Sequence, residues 1–464
     1  MNIFLHNTLT GKKEVFTPIS KPFFGRPKVG MYHCGPTVYN YPHIGNLRAY
    51  VFADTLKRLM KASGYKVEQV INITDVGHLV SDADTGEDKM EKARAREGKS
   101  AQDIANFYTQ IFFKNLKDLN IDTEKTHFPK ATEYIPEQIA IVKTLEKKGF
   151  TYKTSDGIYF DTSRFPHYGK LGNIDIQGIR EGERIGTHAE KKNPTDFALW
   201  KFSPSDHKRE QEWPSPWGVG FPGWHIECSA MSKALLGTTF DIHTGGIDHI
   251  PVHHNNEIAQ SESAHDKEFV HYWLHSAFVT IEGSKMAKSE GNFLTLQSIK
   301  EKNISPLAYR YFLLGARYST PLNFTWEALE AAQTAYKRMN SNVAELPNGG
   351  RARTDLVQKA LSFISDDLDT PKALALVWDI LKDDTLSPAD KKATIVKIDA
   401  LLGLLTKEQE KASVIPPAVQ ALALERQNAR VQKDWKKSDE LRDKIKAEGF
   451  EIKDTPHGYT LTQL

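Results

Sequence analysis

The sequence predicts an α/β protein: a parallel sheet interrupted by an inserted subdomain, then a mainly helical carboxyl-terminal region with a small mixed module. Three observations lead to this prediction. A strand, a helix and a second strand follow one another between residues 28 and 76, and such a βαβ unit implies a parallel sheet. Residues 151–222 are rich in Gly, Pro and aromatics, which indicates an insertion. From Ser305 onward, apolar residues recur mostly with helical spacing.

The amino-terminal elements build the sheet in order. Weak alternation around Leu9 to Lys12 predicts a hairpin, and residues 28–36 read as a strand that ends in a Gly-Pro turn. A helix follows from His43 to about Ser63, and the β-branched run VEQVINITDV is the second strand. The functional end of a parallel sheet is the carboxyl end of its strands. The residues placed there are Cys34, His43, Thr74 and Asp75.

The remaining elements are predicted from the same patterns. Further helices are expected at residues 101–119 and 133–148, and a strand is expected at residues 272–275. Thr370-Pro371 marks another helix start, with a capping residue before a proline. Val414 to Pro417 looks like a linker. Residues 418–449 read as one long helical stretch that Gly449 ends, and a strand pair around Asp454 to Gly458 closes the chain.

The composition is that of an ordinary soluble protein. The 464 residues are 39% hydrophobic and 26% charged, a length that indicates about two to four domains. No apolar run approaches the ~20 residues of a membrane span, and no signal-peptide core is visible at the amino terminus. Two cysteines cannot form a disulfide framework, so we expect a cytoplasmic protein. With a net charge of +2, any nucleic-acid binding depends on local basic surfaces.

Two stretches are typical of phosphate handling, although neither is a glycine-rich phosphate loop. His43-Ile44-Gly45-Asn46 opens a helix, where free N–H groups and the dipole favour an anion, and Gly45 permits close approach of a ligand. Lys285 and Lys288 lie in a loop between glycines and suit closure over a polyphosphate. A structural histidine and a solvated loop are the alternatives.

Both cysteines of the chain lie in candidate functional stretches. Cys228 precedes His253 and Glu257, whose spacing of four residues puts them on one face of a helix. Thiolate, imidazole and carboxylate are zinc ligands, and Cys34 would complete a set of four. Spacing alone leaves open a buried thiol and a solvated His/Glu pair.

Taken together, these stretches resemble the class I aminoacyl-tRNA synthetases, and within them the cysteinyl-tRNA synthetase family. HIGN at 43 and KMAKS at 285 are similar to the two class signatures. CGPTVY at 34, NITDVGH at 72, GWHIECSAMS at 223 and GGIDHIPVHHNNEIAQ at 245 are similar to blocks of that family, in its order. The resemblance covers essentially the whole chain. Asn46 and Ala287 depart from the signatures, which puts the grip on ATP in question.

The resemblance implies a Rossmann-like catalytic domain, split by an insertion, and an anticodon-binding module. The expected ranges are catalytic domain, first half (1–120), inserted connective-peptide-like subdomain (121–222), catalytic domain, second half, with the zinc site and KMAKS loop (223–304), stem-contact and helical-bundle domain (305–412) and anticodon-binding module (413–464).

The resemblance also implies ligation of L-cysteine to tRNA(Cys) through a cysteinyl-adenylate, with one Zn²⁺ per subunit, Mg²⁺ with ATP, and a monomeric protein. The expected catalytic residues are His43, Asn46, Lys285 and Lys288. The expected ATP-binding residues are His43, Gly45, Asn46, Gly246, Asp248 and Lys288. The expected substrate-binding residues are Gly35, Thr37, Thr74, Trp224 and His225. The expected zinc ligands are Cys34, Cys228, His253 and Glu257.

Three alternatives share part of this pattern. A mycothiol-pathway cysteine ligase shares the activation chemistry but lacks the full carboxyl-terminal region, so residues 367–464 argue against it. A non-catalytic zinc- and RNA-binding paralogue would not need Lys288 and His43. A nucleotidyltransferase would explain His43 but not the cysteine, histidine and glutamate set.

Overall fold

The computed structural model describes residues 1–20, 25–77, 88–174, 190–204, 209–281, 284–285, 293–405, 417–455 and 458–463. The chain divides into two compact units, Met1–Leu404 and Leu405–Leu464. The strands of the first unit are β1 (Phe4–Asn7), β2 (Lys12–Val15), β3 (Lys28–His33), β4 (Lys66–Ile71), β5 (Thr126–His127), β6 (Thr151–Lys153), β7 (Gly157–Phe160), β8 (Phe197–Phe202), β9 (Gly220–Pro222), β10 (Phe240–Gly246), β11 (Val270–Ser276), β12 (Val279–Ile281), β13 (Ser284–Lys285) and β14 (Leu322–Phe324).

The α-helices of the first unit account for most of its other described residues. They are α1 (Ile44–Ala62), α2 (Lys89–Glu97), α3 (Ala101–Asp118), α4 (Ile135–Lys147), α5 (Trp224–Leu236), α6 (Asn255–His265), α7 (Leu296–Glu301), α8 (Pro306–Leu314), α9 (Trp326–Glu345), α10 (Thr354–Ser365), α11 (Thr370–Lys382) and α12 (Pro388–Leu402). Helix α11 begins at Thr370 as expected, but Asp369 holds the capping position that the sequence assigned to Thr370.

A five-stranded parallel sheet forms the centre of the first unit, in the order β11-β10-β3-β4-β5. Helix α1 connects β3 to β4, which confirms the predicted βαβ unit. The buried residues Leu47, Val51 and Leu59 lie on α1, whereas Val29 and Met31 alternate along β3. The helix ends where predicted, because Gly64 adopts a φ of 90°. Strands β1 and β2 form the predicted amino-terminal hairpin.

A second sheet lies within residues 151–222. Strands β6, β7, β8 and β9 pair antiparallel in that order, separately from the parallel sheet. Its buried face carries Phe160, Phe197 and Trp200, which pack with Val142 and Leu145 of α4. Because Gly and Pro interrupt the pattern, the sequence indicated only an irregular insertion. Strand β5 belongs to the parallel sheet although it lies in the range 121–222, and the predicted domain boundaries stay predictions.

Three charged residues join the parallel-sheet region to the last helices of the first unit. Arg310 is fully buried and donates to the Asp54 carboxylate, 2.5 Å away, and to Leu402 O, 2.7 Å away. Arg58 donates to the same carboxylate over 2.8 Å and to Asn120 O. We call Asp54, Arg58 and Arg310 the arginine cluster. It holds α12 against α1, since Leu402 is the last residue of α12.

The second unit contains α13 (Pro417–Val431), α14 (Trp435–Ala447), β15 (Phe450–Thr455) and β16 (Gly458–Gln463). The predicted strand pair is therefore confirmed, but the prediction of one long helix is wrong. Lys433 turns the chain with a φ of 60°, and Asp434 caps α14 by accepting from Lys437 N. The break lets α13 and α14 bury Val419 and Ile445 in one small core. Helical periodicity is the same for one helix or two, so it does not reveal the turn.

Within the described residues, no helix has the length and apolar character needed to cross a membrane.

Candidate active site

A cavity of about 460 Å³ opens where β3, β4 and β10 end, at the predicted functional edge of the sheet. Most of the site residues predicted from the sequence line it, and they come from five separate parts of the chain. The predicted residues that line the cavity are Cys34, Gly35, Thr37, His43, Gly45, Asn46, Thr74, Trp224, Cys228, Gly246, Asp248 and His253.

The loop after β3 is held against the loop after β4. Gly35 N donates to Asn72 Oδ1 over 2.8 Å, and Asn72 Nδ2 donates to Thr74 Oγ1 over 3.0 Å. A Cβ at Gly35 would lie 1.5 Å from Asn72 O, so only glycine fits here. Cys34 N donates to Thr244 O of β10 over 3.1 Å. Backbone bonds on both sides thus fix where the Cys34 thiol points.

The start of α1 forms a reciprocal cap. His43 Nδ1 accepts from Asn46 N over 3.1 Å, and Asn46 Oδ1 accepts from His43 N over 3.1 Å. Because Nδ1 accepts, the neutral His43 ring carries its proton on Nε2. The Asn46 amide therefore performs a local task at the position where the class signature has a histidine: it holds the helix start that faces the cavity.

Within the described residues, six potential metal ligands converge at one side of the cavity in two overlapping groups: Cys34, Cys228, His253 and Glu257, and Cys34, His243, His254 and Glu257. One ligand atom from each of Cys34, Cys228, His253 and Glu257 lies within 4.8 Å of all the others. We call these four residues the donor cluster. His253 Nε2 and Glu257 Oε1 are 2.9 Å apart, yet Glu257 Oε1 accepts no hydrogen bond from any described residue. An imidazole nitrogen and a carboxylate oxygen are both atoms that bind zinc in proteins.

A local helix irregularity brings these donors together. Residues Ile250–His254 form a π-helical turn that runs into α6, so His253 lies in the wide turn and Glu257 in the regular helix. Such turns occur frequently at functional sites. Cys228 lies on α5. Gly223 directly precedes this helix, and a Cβ at Gly223 would lie 1.9 Å from Ala198 O. The relative positions of Cys228 and Glu257 therefore depend on how α5 and α6 pack against each other.

In the donor cluster, burial and the neighbouring groups shift the pKa values of Glu257 and His253 in opposite directions. Burial opposes ionisation of Glu257, but His243 and His253 lower its pKa to about 2. Burial likewise opposes protonation of His253, but Glu257 and Cys228 raise its pKa to about 10. Proximity to Cys34 lowers the pKa of Cys228, whereas burial raises the pKa of Cys34. The pKa values of the two thiols are thus shifted in opposite directions.

Further histidines support the donor cluster from behind. His243 Nε2 contacts Glu257 Oε2 over 3.0 Å, and His254 Nε2 contacts Cys34 Sγ over 3.2 Å. His254 continues through Nδ1 to His275 Nε2, 2.7 Å away, and His275 reaches Thr8 of the amino-terminal hairpin. Burial lowers the pKa of His254 and of His275, so both rings are neutral. Hydrogen-bond partners of this kind orient the ligands of a metal site.

The structure places the predicted aromatic and lysine residues differently. Trp224 lines the cavity with its ring centroid 4.4 Å from that of His253. His225 lies behind, 1% exposed, with Nδ1 2.9 Å from His253 Nδ1. The backbone of Lys285 belongs to β13, whereas Lys288 and Ala287 lie outside the described residues.

Comparison with known proteins places this site in a family. The model for the catalytic domain of class I tRNA synthetases (C) matches residues 22–334. "Cysteine--tRNA ligase 1" of Burkholderia lata is 49% identical over 99% of this chain and 97% of its own length. The chain belongs to the cysteine–tRNA ligases, which are class I aminoacyl-tRNA synthetases. A second such ligase, from Treponema denticola, is 43% identical over 98% of both chains.

Solved structures show the same fold at low identity. Methionyl-tRNA synthetase of Mycobacterium tuberculosis, in complex with methionyl-adenylate, aligns with a TM-score of 0.56 and 14% identity over 83% of this chain and 92% of that one. LeuRS of Agrobacterium radiobacter K84 aligns with a TM-score of 0.60 and 12% identity over 86% of each chain. The predicted Rossmann-like fold of the catalytic region is thereby confirmed.

The sequence of this ligase did not predict several residues of the site. Tyr41, Asn72, His249 and Phe278 line the cavity. His243 and His254 contact the donor cluster. A signal was present, because two of these three histidines, His249 and His254, lie within the block that carries His253. Spacing does not distinguish which histidines face the cavity and which support it.

Proposed function

We propose that this ligase activates L-cysteine with ATP as cysteinyl-adenylate and transfers the cysteinyl group to the 3′ end of tRNA(Cys). The observation that supports the proposal most is the junction, within one cavity, of the α1 start with the donor cluster. The first suits an anion such as a phosphate, and the second suits a metal that binds sulfur. Cysteine activation needs both of these in one place.

In the first step, a carboxylate oxygen of cysteine attacks the α-phosphorus of ATP and pyrophosphate leaves. The transition state spreads negative charge, so positioned donors and cations stabilise it more than covalent chemistry does. We assign His43, through Nε2–H, and Asn46 to the phosphates, with Gly45 giving room. We assign Lys288, assisted by Lys285, to the charge that develops on the pyrophosphate. Mg²⁺ bound with ATP would supply further positive charge there.

The other walls of the cavity hold the ribose and the amino acid. Gly246 and Asp248 lie together, and a Cβ at Gly246 would approach Asp248 Oδ1 to 2.4 Å. A carboxylate accepts well from ribose hydroxyls, so we assign this pair to the sugar. Gly35, Thr37, Thr74 and Trp224 surround the cysteine, and His225 supports the pocket through its contact with His253.

The donor cluster fits zinc by its chemistry. Thiolate, imidazole and carboxylate are all zinc ligand types, and three of the four residues are buried while Cys34 is half-buried. Bound zinc would supply a soft Lewis acid that prefers a thiolate to an alcohol. An apolar pocket alone separates such similar substrates by only about 10–200-fold. Cys34, Cys228, His253 and Glu257 hold the ion in this proposal, and rejection of serine then needs no editing domain.

The decisive experiment is transfer of labelled cysteine, beside serine, to bulk tRNA with ATP and Mg²⁺. Wild type should charge with cysteine only. Cys228→Ala should lose this activity together with its zinc, whereas Ser232→Ala, equally buried on the same helix, should retain both. Equal charging with serine would contradict the zinc account. Cysteine-dependent ATP–pyrophosphate exchange without charging would indicate the ligase alternative with another acceptor.

The tRNA partner gives a second, independent test. Phosphate contacts release counterions, so affinity for tRNA(Cys) should fall steeply with salt. An affinity that does not change between about 50 and 200 mM salt would contradict the assignment. Truncation after residue 404 removes the second compact unit, and it should weaken tRNA binding while cysteine activation persists. The anticodon-binding role of residues 413–464, the monomeric state and the cytoplasmic location belong to the same proposal.

A further inference from the structure

Arg48 is a buried arginine in α1 that none of the assignments above uses. It lies two residues beyond Asn46 and is 2% exposed. Its guanidinium donates four hydrogen bonds, all to backbone carbonyls. The acceptors are Ala277 O (3.0 Å), Phe278 O (2.7 Å), Arg317 O (2.9 Å) and Thr320 O (2.7 Å).

The four carbonyls belong to two turns that flank one wall of the cavity. Ala277 and Phe278 follow β11, line the cavity and lead into β12. Arg317 and Thr320 precede β14, which pairs with β12 from Val279 to Ile281. Arg48 therefore ties α1 to the start of both strands of the parallel β12–β14 pair.

The chain beyond β12 returns to the same helix. Ile44 N donates to Leu294 O over 2.8 Å, and His43 forms an isolated bridge with Thr295. The stretch that contains KMAKS, residues 285–289, is thus flanked by two attachments to the first turns of α1. Arg48 makes the attachment on the amino-terminal side, and the backbone at Ile44 makes the other.

The hydrogen-bond partners of Arg48 indicate that it fixes the position of backbone groups and does not pair with an opposite charge. Its partners recorded in the described part of the chain are carbonyls, whereas the buried Arg310 is bonded to the Asp54 carboxylate. A planar guanidinium can reach four carbonyls in fixed directions, and a lysine ammonium, with three donors on one nitrogen, cannot. Burial of a cation without a carboxylate partner costs free energy of folding. We therefore attribute the presence of Arg48 to the arrangement of carbonyls that it imposes.

We propose that Arg48 is a positioning residue for the ATP step: it fixes the Ala277–Phe278 wall and strand β12 relative to the HIGN turn. The inference rests on the proposed function for its substrate, ATP, and it extends that function to a residue outside both class signatures. Arg48 touches no substrate. It acts through the carbonyls that it holds.

The test compares Arg48→Lys with Arg310→Lys in the full chain. Both replace a buried arginine that donates to carbonyls, but the partners of Arg310 do not line the cavity. Three quantities are measured for each: the dissociation constant of MgATP by calorimetry, the kcat and KM of ATP–pyrophosphate exchange, and Tm. A displacement near 1 Å in an active site costs up to about 100-fold in rate.

We expect Arg48→Lys to weaken MgATP binding and exchange by roughly 10- to 100-fold in kcat/KM for ATP, with KM for cysteine within about twofold of wild type. Arg310→Lys should lower Tm and leave the ATP parameters unchanged. A lower Tm for Arg48→Lys with unchanged ATP binding would assign it a merely structural role and overturn the proposal.

Thr320→Gly keeps the test informative if Arg48→Lys does not fold. Thr320 is exposed, and glycine loosens the turn that presents one of the four carbonyls. MgATP binding should weaken in the same direction, by about two- to threefold, and unchanged binding would count against Arg48. Absence of cysteine-dependent exchange in wild type would contradict the proposed function instead, and the MgATP measurement would still decide the role of Arg48.

Discussion

The arginine cluster and the donor cluster are both buried and polar, yet they are built on opposite plans. In the arginine cluster, each guanidinium faces carbonyls or the Asp54 carboxylate, so donors meet acceptors. In the donor cluster, the ligand atoms of two thiols, an imidazole and a carboxylate all lie within 4.8 Å of one another. Only the second arrangement gains from an ion at its centre. A buried polar cluster therefore indicates function when its acceptors converge, and structure when its donors are matched.

Removal of a ligand from the donor cluster should have the largest effect. Cys228→Ala leaves three donors and should lower zinc affinity by more than the ~10–100-fold that the loss of an outer partner costs. Zinc content after dialysis measures this loss, and thermal unfolding should show a folded chain. Retention of one zinc per chain in the variant would remove Cys228 from the ligand set.

Removal of the anion from the arginine cluster should mainly affect stability. Asp54→Asn leaves Arg310 buried without a charge partner, and breaking a buried pair costs about 3–5 kcal/mol in the free energy of unfolding. Zinc content should not change. Asp118→Asn, whose lysine partners are partly exposed, should cost at most ~1 kcal/mol. Equal losses in denaturant unfolding would contradict the distinction between the two sites.

The pH dependence of the same variant sharpens the comparison. Burial opposes ionisation, but Arg310 and Arg58 hold the pKa of Asp54 below its ordinary value in the folded chain. This carboxylate thus adds stability above the unfolded pKa of about 3.9, and the gain disappears as pH falls through the folded value. The stability difference between wild type and Asp54→Asn should shrink only below about pH 4. A constant difference down to pH 2 would exclude the linkage.

Loss of a supporting histidine should have a smaller effect on the donor cluster. His243→Asn removes the contact that orients Glu257, so zinc affinity should fall about tenfold while one zinc still binds at saturation. Competition with a chelator measures the change. His271→Asn is the control, because that ring is partly exposed and contacts Glu268 rather than the cluster. Equal affinities in the two variants would argue against the outer layer.

The smallest effect is expected at the edge of the arginine cluster. Arg58→Lys keeps the positive charge but loses the second arm that reaches Asn120 O, which should cost about 1 kcal/mol. Urea unfolding measures it. A loss in the free energy of unfolding as large as that of Asp54→Asn would show that Arg58, and not Arg310, accounts for most of the cluster's contribution to stability.

Local patterns in the sequence predicted much of the fold, and most of the site residues expected from the sequence and the family resemblance line the cavity. Helix α1 and its end at Gly64, the βαβ unit and the amino-terminal hairpin follow from periodicity and turn residues, which act between near neighbours. The family resemblance and the fold class are confirmed. The roles of His43, Asn46, Lys288 and the zinc ligands stay predictions, and the experiments above test them.

The sequence by itself determined which elements form and which residue types are available for chemistry. Tertiary structure decided the rest: the break at Lys433 that folds one predicted helix into two, the placement of His243 and His254 behind Cys34 and Glu257, and the four carbonyls around Arg48. These features share a physical cause. Each depends on contacts between separate elements: apolar packing of Val419 with Ile445 at the break, and hydrogen bonds between distant residues at the other two. Periodicity holds no information about such contacts.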